Sequence, residues 1–303
     1  MSTPVVIALD AMGGDHAPTE IVAGACAAVR PGELEIVLVG DEPEVRAAHP
    51  GLLPAGITIR HASDAIGFAE EPAQAVRAKP DASLVVCAGS VRDGWAHAAV
   101  SAGSTGAMLA ASLFAMRRIP GVIRPGLAAV LPGVQGPVVL IDAGANADCK
   151  ADQILQFAHM GATFAEDVLG VSAPLVGLLT IGEEPGKGNA LARDAYDLLA
   201  VEPGLRFFGN VEGRDLLDHS VTVFVTDGFT GNVTLKTAEG VARTTLGLIR
   251  DAALASTRGK LGGLLLRPGV RAVRERFDPE TYGGAFLLGL SGVSVVAHGS
   301  SSR

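Results

Sequence analysis

Cysteine is scarce: Cys26, Cys87 and Cys149 are the only three in 303 residues, lie far apart and form no CxxC pair. Such a set excludes a disulfide framework and offers no zinc-ligand spacing, so isolated thiols in a reducing cytoplasm are expected. Long hydrophobic runs are also missing. No uninterrupted apolar stretch reaches the ~18 residues of a spanning helix, and no secretory leader is expected ahead of the first strand-like run. Positive charge is in deficit, with 24 Lys+Arg against 32 Asp+Glu and a formal net charge of -8. That argues against general nucleic-acid binding, which needs a basic face to neutralise phosphates. No GxSxG elbow, HExxH helix or GxGxxG turn occurs. Serine-nucleophile hydrolysis, zinc proteolysis and fingerprint dinucleotide binding lose their usual support, and neither a metal nor a cofactor is predicted.

What is present is apolar and strongly punctuated. At 48% hydrophobic and 18% charged, the chain can bury a substantial core, and one large α/β catalytic domain over residues 1–303 is expected. Strand-like runs recur at EIVLVG, ITIRHA, HAAVSAG, LAAVL, VVLIDAG, LVGLLTIG, LRFFGNV, VTVFVTDG and VSVVAHGS, with helix-length segments between many of them. This alternation predicts a largely parallel sheet flanked by helices. Many of the runs end in glycine and a polar group, which gathers functional side chains at strand ends, where open α/β sheets bind ligands.

The stretch IALDAMGGDHAP shows the device first. An apolar strand stops at Asp10, Asp15 and His16 follow two glycines, and Pro18 and Thr19 open a helix. Asp10, Asp15 and His16 would stand on the rim of a crevice; the plainer reading is a tight turn with Gly13 and Gly14 at positive φ and a capping aspartate. IGEEPGKGNAL fails as a nucleotide P-loop, because three residues instead of four separate Gly182 from Gly186 and no hydroxyl is placed for Mg²⁺. It retains the ingredients of an anion site: Gly186, Lys187, Gly188, and Asn189 at a helix N-terminus. A solvated loop with an ordinary lysine is the alternative. VTVFVTDGFTGNVTLK places Asp227 at a strand end, Thr230 in the turn, and Asn232 and Lys236 on one helix face at i, i+4. Asn232 as a helix cap and Lys236 as a solvated side chain is equally open. SAGSTGA offers Ser104 and Thr105 before a helix, and DAGAN offers Asn146. Of the histidines, only His16 and His298 fall in glycine-rich strand-end turns; His49, His61, His97, His159 and His219 read as structural or surface residues.

After Ala255 the regular periodicity is lost, and a basic, apolar excursion is expected at about 256–281. It carries Arg258, Lys260, Arg267 and Arg271 among Leu264 and Leu265, a combination suited to anionic lipid or an acidic protein.

Taken together, ALDAMGGDHAP, SAGSTGA, DAGAN, IGEEPGKGN, GNVEGRD, DGFTGN and YGGAFLLGLSGVSVVAHGSS stand in the order seen in the bacterial phosphate acyltransferases of phospholipid synthesis, the PlsX family, which the chain resembles from residue 5 to about 301. The resemblance implies a three-layer α/β/α fold akin to phosphate acetyltransferases and isopropylmalate-type dehydrogenases. It also implies transfer of a long-chain acyl group from acyl carrier protein to inorganic phosphate. A homodimer, contact with the inner face of the cell membrane, a membrane-bound glycerol-phosphate acyltransferase downstream, and a further helix beyond Arg303 are implied as well. Ser104, Pro80, Phe286 and Ser291 depart from the family's usual Asn, Lys, Pro and Asn. Within this reading Lys187, Lys236 and loop N–H groups hold phosphate, and His16, oriented by Asp10 or Asp15, transfers a proton. Ser104, Thr105, Asn146, Asp227, Thr230 and Asn232 complete the expected site. The rival readings are an acyl-CoA-dependent acetyltransferase-like enzyme, a metal- and NAD-dependent dehydrogenase of the related fold, and a membrane-surface scaffold that binds carrier protein without turnover.

Overall fold

The β-branched run at the start of the chain forms β1 (Val5–Asp10) and EIVAGACAA lies in α1 (Thr19–Ala28), so the opening segment is strand, loop and helix. There follow β2 (Leu34–Gly40), α2 (Glu42–Ala48), β3 (Ile57–His61), α3 (Pro72–Ala78), α4 (Ser83–Arg92), β4 (Ala98–Ser101) and α5 (Thr105–Met116). The middle of the chain forms β5 (Gly126–Gly133), β6 (Gly136–Ile141), α6 (Ala151–Asp167), β7 (Val176–Thr180), α7 (Ala190–Val201), β8 (Phe207–Glu212), β9 (Val223–Val225), α8 (Gly228–Leu254) and α9 (Thr257–Arg276). The last strands are β10 (Ala285–Leu288) and β11 (Val293–Val296). The computed structural model describes residues 3–217, 221–276 and 282–300; His219 and positions 277–281 of the expected excursion lie outside them.

The chain divides into two compact units, one of Met1–Pro125 with Gly284–Arg303 and one of Gly126–Gly283. In the first, the strand order is β3-β2-β1-β4-β11-β10. All neighbours are parallel except β10, which returns antiparallel along β11. Successive side chains of a strand face opposite ways. Ile36 and Leu38 of β2 therefore join Val22 and Ala25 of α1 and Val45 of α2 in one apolar cluster. Asp10 of β1 turns the other way, toward Ser83 of α4. Helices thus cover both faces of this sheet.

In the second unit the order is β5-β6-β9-β7-β8, with β5 antiparallel to β6 and the other neighbours parallel. Leu140, Leu179, Val211 and Phe224 form one face, with Leu235 of α8 packed against it. Ile141 and Val223 form the other, against which α6 lies at Gly161. Fully burying a side chain such as Phe224 or Leu140, both 0% exposed, is worth roughly 1.5–3 kcal/mol relative to leaving it in water. Each unit is a sheet between helices, the layered α/β architecture that the alternation of runs predicts.

The basic, apolar stretch after Ala255 was given no secondary structure by its sequence. It is helical, α9 running through Pro268. The exposed region also begins earlier than Ala255. Of the 27 residues of α8 only Gly228 and Gly231 are buried, while Val241, Leu248, Ile249, Leu254, Leu261, Leu264, Leu265 and Leu266 are exposed. Among the described residues no helix is long and apolar enough to cross a membrane.

Candidate functional site

Three aspartates follow apolar strands, and each turns its carboxylate back on its own loop. Asp10, 1% exposed, accepts the Ser101 hydroxyl at 2.6 Å on Oδ2 and the Met12 N–H at 3.1 Å on Oδ1. Ser101 Oγ in turn accepts the Gly103 N–H at 3.0 Å. Burial pushes the Asp10 carboxyl above its ordinary range, and the hydroxyls of Ser101 and Ser83 pull against that shift. Asp10 therefore braces the loops after β1 and β4. It is sealed away from solvent, whereas Asp15 and His16 are exposed.

Among the described residues the His16 ring makes no hydrogen bond to Asp10 or Asp15. The loop that carries it is tied by the Asp15 N–H to the Gly299 carbonyl at 2.8 Å. This brings the loop after β1 to the loop after β11, where His298 Nδ1 lies 2.8 Å from Ser300 Oγ. His298 shares that cluster of strand ends with His16 and was absent from the expected site, although its own glycine-rich turn signalled it. Of the expected glycine pair only Gly14 has positive φ, at 109°. Ser104 caps α5, its Oγ accepting the Ala107 N–H at 3.4 Å, and Thr105 is the first residue of that helix. The histidines read as structural behave so at two positions: His97 Nδ1 accepts the Val6 N–H at 2.9 Å and His61 Nδ1 the Glu42 N–H at 3.2 Å.

In the second unit β6, β9, β7 and β8 run parallel, so the loops DAGAN, TDGFTGN, IGEEPGKGN and GNVEGRD leave the same sheet edge in that order. Asp142 organises the first. Its Oδ1 accepts the N–H groups of Leu127, Gly144 and Ala145 at 3.0, 3.1 and 2.8 Å, and its Oδ2 accepts the main-chain N–H and the Nδ2 of Asn146 at 2.8 and 2.7 Å. Burial raises its pKa while these donors oppose the rise. Asn146 is thereby fixed, and its carbonyl accepts the Gly228 N–H at 2.8 Å. Only glycine fits at 231, where a Cβ would run into the Asp142 carbonyl oxygen. The start of α8 is thus seated directly on the DAGAN loop.

The cap of α8 is Asp227, which accepts the Thr230 N–H and hydroxyl at 2.8 and 2.9 Å. Asn232 is consequently not the cap. It lies one turn into the helix, beside Gly144, and is exposed. Lys236 follows a turn later, its Nζ 3.0 Å from Glu239 Oε2. In the next loop the Lys187 N–H bonds the Glu184 carbonyl at 3.0 Å, Gly188 turns the chain at φ 101°, and Asn189 caps α7 through the Ala192 N–H at 2.8 Å. Lys187 Nζ stands 4.0 Å from Glu184 Oε2 and is half exposed. Asn189 and Asp227 are therefore occupied as caps, and Gly186 and Gly188 serve the turn. Lys187, Asn146 and Asn232 have side chains at the loop edge beside two helix N-termini, whose partial positive charge favours an anion.

Cys149 lies near the same loop, its Sγ 3.4 Å from the Asn146 carbonyl. Burial first, and then Asp142, Asp227 and Asp148, push its thiol up to about 11, so at neutral pH it is not a thiolate nucleophile. Asp142, Ser101 and Asn210 were missing from the expected site. Asp142 carried a signal, Asp directly after an apolar run; the other two are found only through their partners in space.

A family model described as fatty acid synthesis protein matches residues 5–303. The phosphate acyltransferase of Desulfitobacterium hafniense is 47% identical over 299 residues, covering 98% of this chain and 89% of the relative. That of Thermobifida fusca is 50% identical over 304 residues, covering 99% of this chain and 84% of the relative. Among solved structures, EutD phosphotransacetylase from Staphylococcus aureus aligns with a TM-score of 0.62 at 18% identity, over 99% of this chain and 90% of that one. A branched-chain phosphotransacylase from Enterococcus faecalis gives a TM-score of 0.60 at 15% identity, over 98% and 93%. At such identities the structural likeness is one of fold alone. With the match running through nearly every residue and relatives at half identity carrying one name, the chain belongs to the fatty acid synthesis protein family, together with the proteins named phosphate acyltransferase.

Proposed function

We propose that this protein transfers a long-chain acyl group from the thioester of acyl carrier protein to inorganic phosphate, releasing an acyl phosphate and the free carrier thiol. The observation that carries this reading is the match over residues 5–303 with relatives named phosphate acyltransferase at 47–50% identity. A phosphate oxygen attacks the thioester carbon, the C–O bond forms, the C–S bond breaks, and the proton of hydrogen phosphate passes to the departing sulfur. Phosphate is itself the nucleophile and a thiolate is a fair leaving group, so no acyl-enzyme is needed. The protonated state of Cys149 is in keeping with that.

Lys187 and Lys236, with loop N–H groups, are assigned to holding phosphate against its own charge, and Asn146 and Asn232 to orienting it or the carbonyl oxygen. His16 is assigned to moving the proton; Asp15, exposed beside it, is the better-placed carboxylate to orient it than the buried Asp10. These assignments rest on residue type and strand-end position. The helix α9 is assigned to peripheral contact with an anionic membrane, its exposed leucines entering the headgroup boundary while Arg258, Lys260, Arg267 and Arg271 attract lipid or the acidic carrier. A homodimer would present that helix twice and gain avidity. An amphiphilic acyl phosphate suits hand-over to a membrane-bound acyltransferase that uses glycerol phosphate.

The test is incubation with palmitoyl-carrier protein or palmitoyl-CoA, with and without phosphate, followed by trapping of acyl phosphate with hydroxylamine. Phosphate-dependent hydroxamate from the carrier substrate is expected. Hydroxamate from the CoA substrate alone would replace this reading with the acetyltransferase-like one, and none from either would remove it.

A further inference from the structure

Asn210 and Lys187 converge on one oxygen. The Glu184 carbonyl accepts the Asn210 Nδ2–H at 2.7 Å and the Lys187 main-chain N–H at 3.0 Å. A carbonyl oxygen has two lone pairs, so both bonds are made together. The Lys187 bond closes the turn from Glu184 to Lys187 and sets where the lysine side chain leaves the backbone. The Asn210 bond ties that turn to β8, a rigid element, since Asn210 lies within the strand and is 3% exposed. The loop is touched again by the same GNVEGRD segment at its rim, where Arg214 donates to Glu183 Oε1 at 3.0 Å. Both partners of that rim contact are about two-thirds exposed, and such pairs hold little.

The other face of the amide sharpens the point. Asn210 Oδ1 is buried and has no hydrogen-bond partner among the described residues, an arrangement that carries a desolvation penalty. Valine or leucine, the usual occupants of a buried strand position, would avoid it. What asparagine supplies there and they cannot is the donor to Glu184.

We propose that Asn210 is a positioning residue for Lys187, fixing the turn from which the ammonium group is presented to phosphate. The kinetic part rests on the reading of Lys187 given above; the geometric part does not. Two variants test both: Asn210→Leu, of similar size without a donor, and Asn210→Ala, a truncation that leaves the strand pairing in place. Amide hydrogen exchange at Lys187 should speed up about ten-fold or more in either variant, with Ala145 and Asn146 unchanged. The KM for phosphate should rise about ten-fold while kcat and the KM for the acyl thioester move less. In a Lys187→Ala background the same substitution should add less than about two-fold, because the two act through one group. Unchanged exchange at Lys187, or a full independent effect on top of Lys187→Ala, overturns the proposal. Faster exchange together with wild-type phosphate kinetics in Lys187→Ala supports the brace and removes Lys187 from the phosphate site instead.

Discussion

Asn146 gives both its main-chain N–H and its side-chain Nδ2–H to a single oxygen of Asp142, at 2.8 and 2.7 Å. With three further N–H groups on the other oxygen, Asp142 is the buried peg on which the DAGAN loop hangs, and α8 is seated on that loop in turn.

Asp142→Ala strands five donors at once. Hydrogen bonds to a charged group are worth about 1.5–3 kcal/mol each but do not add, so a loss of roughly 3 kcal/mol of unfolding free energy is expected. Urea denaturation measures it. A change below about 0.5 kcal/mol, the range of an unimportant surface substitution, would show that the loop holds itself.

Lys187→Ala should leave the fold intact, since its side chain is half exposed and its turn bond is made by the backbone. Turnover should fall by roughly 10²–10³, the usual cost of removing a group that stabilises a reacting anion. Wild-type rates at limiting phosphate would take Lys187 out of the reaction.

His16→Ala should lower turnover by about 10² or more, the scale of general acid–base catalysis. His16→Gln separates the possible roles, because glutamine donates a hydrogen bond but transfers no proton. Full activity of the Gln variant with an unchanged pH profile would rule proton transfer out.

Cys149 offers a test by pH. Burial holds its thiol near 11, above an ordinary cysteine, so the neutral form persists through neutral pH and the thiolate appears only as pH climbs toward that value. Iodoacetamide labelling of the native protein at pH 7.5, read by peptide mass spectrometry, should be roughly 10²-fold slower at Cys149 than for a free cysteine and should accelerate with pH. Labelling at the free-thiol rate would mean that the site is open and the thiol activated.

The α9 helix should bring the protein to anionic vesicles at low salt and release it at high salt, at roughly 1 kcal/mol per basic residue near the surface. Leu264 and Leu265 are 63% and 77% exposed. A Leu264→Glu, Leu265→Glu variant should therefore float less well with anionic liposomes. Equal flotation of the folded variant would show that this helix is not the anchor.

Local order along the chain was readable from local chemistry. VVIAL followed by Asp10, and EIVAGACAA after Pro18, announce a strand and a helix because burial period and turn chemistry act over a few residues. The cap of α8 was less legible: Asn232 and Asp227 are both capping residue types, and the cap falls at Asp227. AFLL was too short and too closely preceded by glycines to stand out, and only its pairing with β11 makes it a strand.

Partnership across the sheet was decided by tertiary structure alone. Asp10 and Ser101 are 91 positions apart, and their bond exists because β4 lies next to β1. Asn210 reaches the Glu184 carbonyl across 26 positions because β8 lies next to β7. Residue types told which groups could bear chemistry, through charge, hydroxyls and amides at strand ends. Which of them would instead be spent as caps and braces depended on strand order, since a hydrogen bond is made only with what the neighbouring strand delivers within about 3 Å.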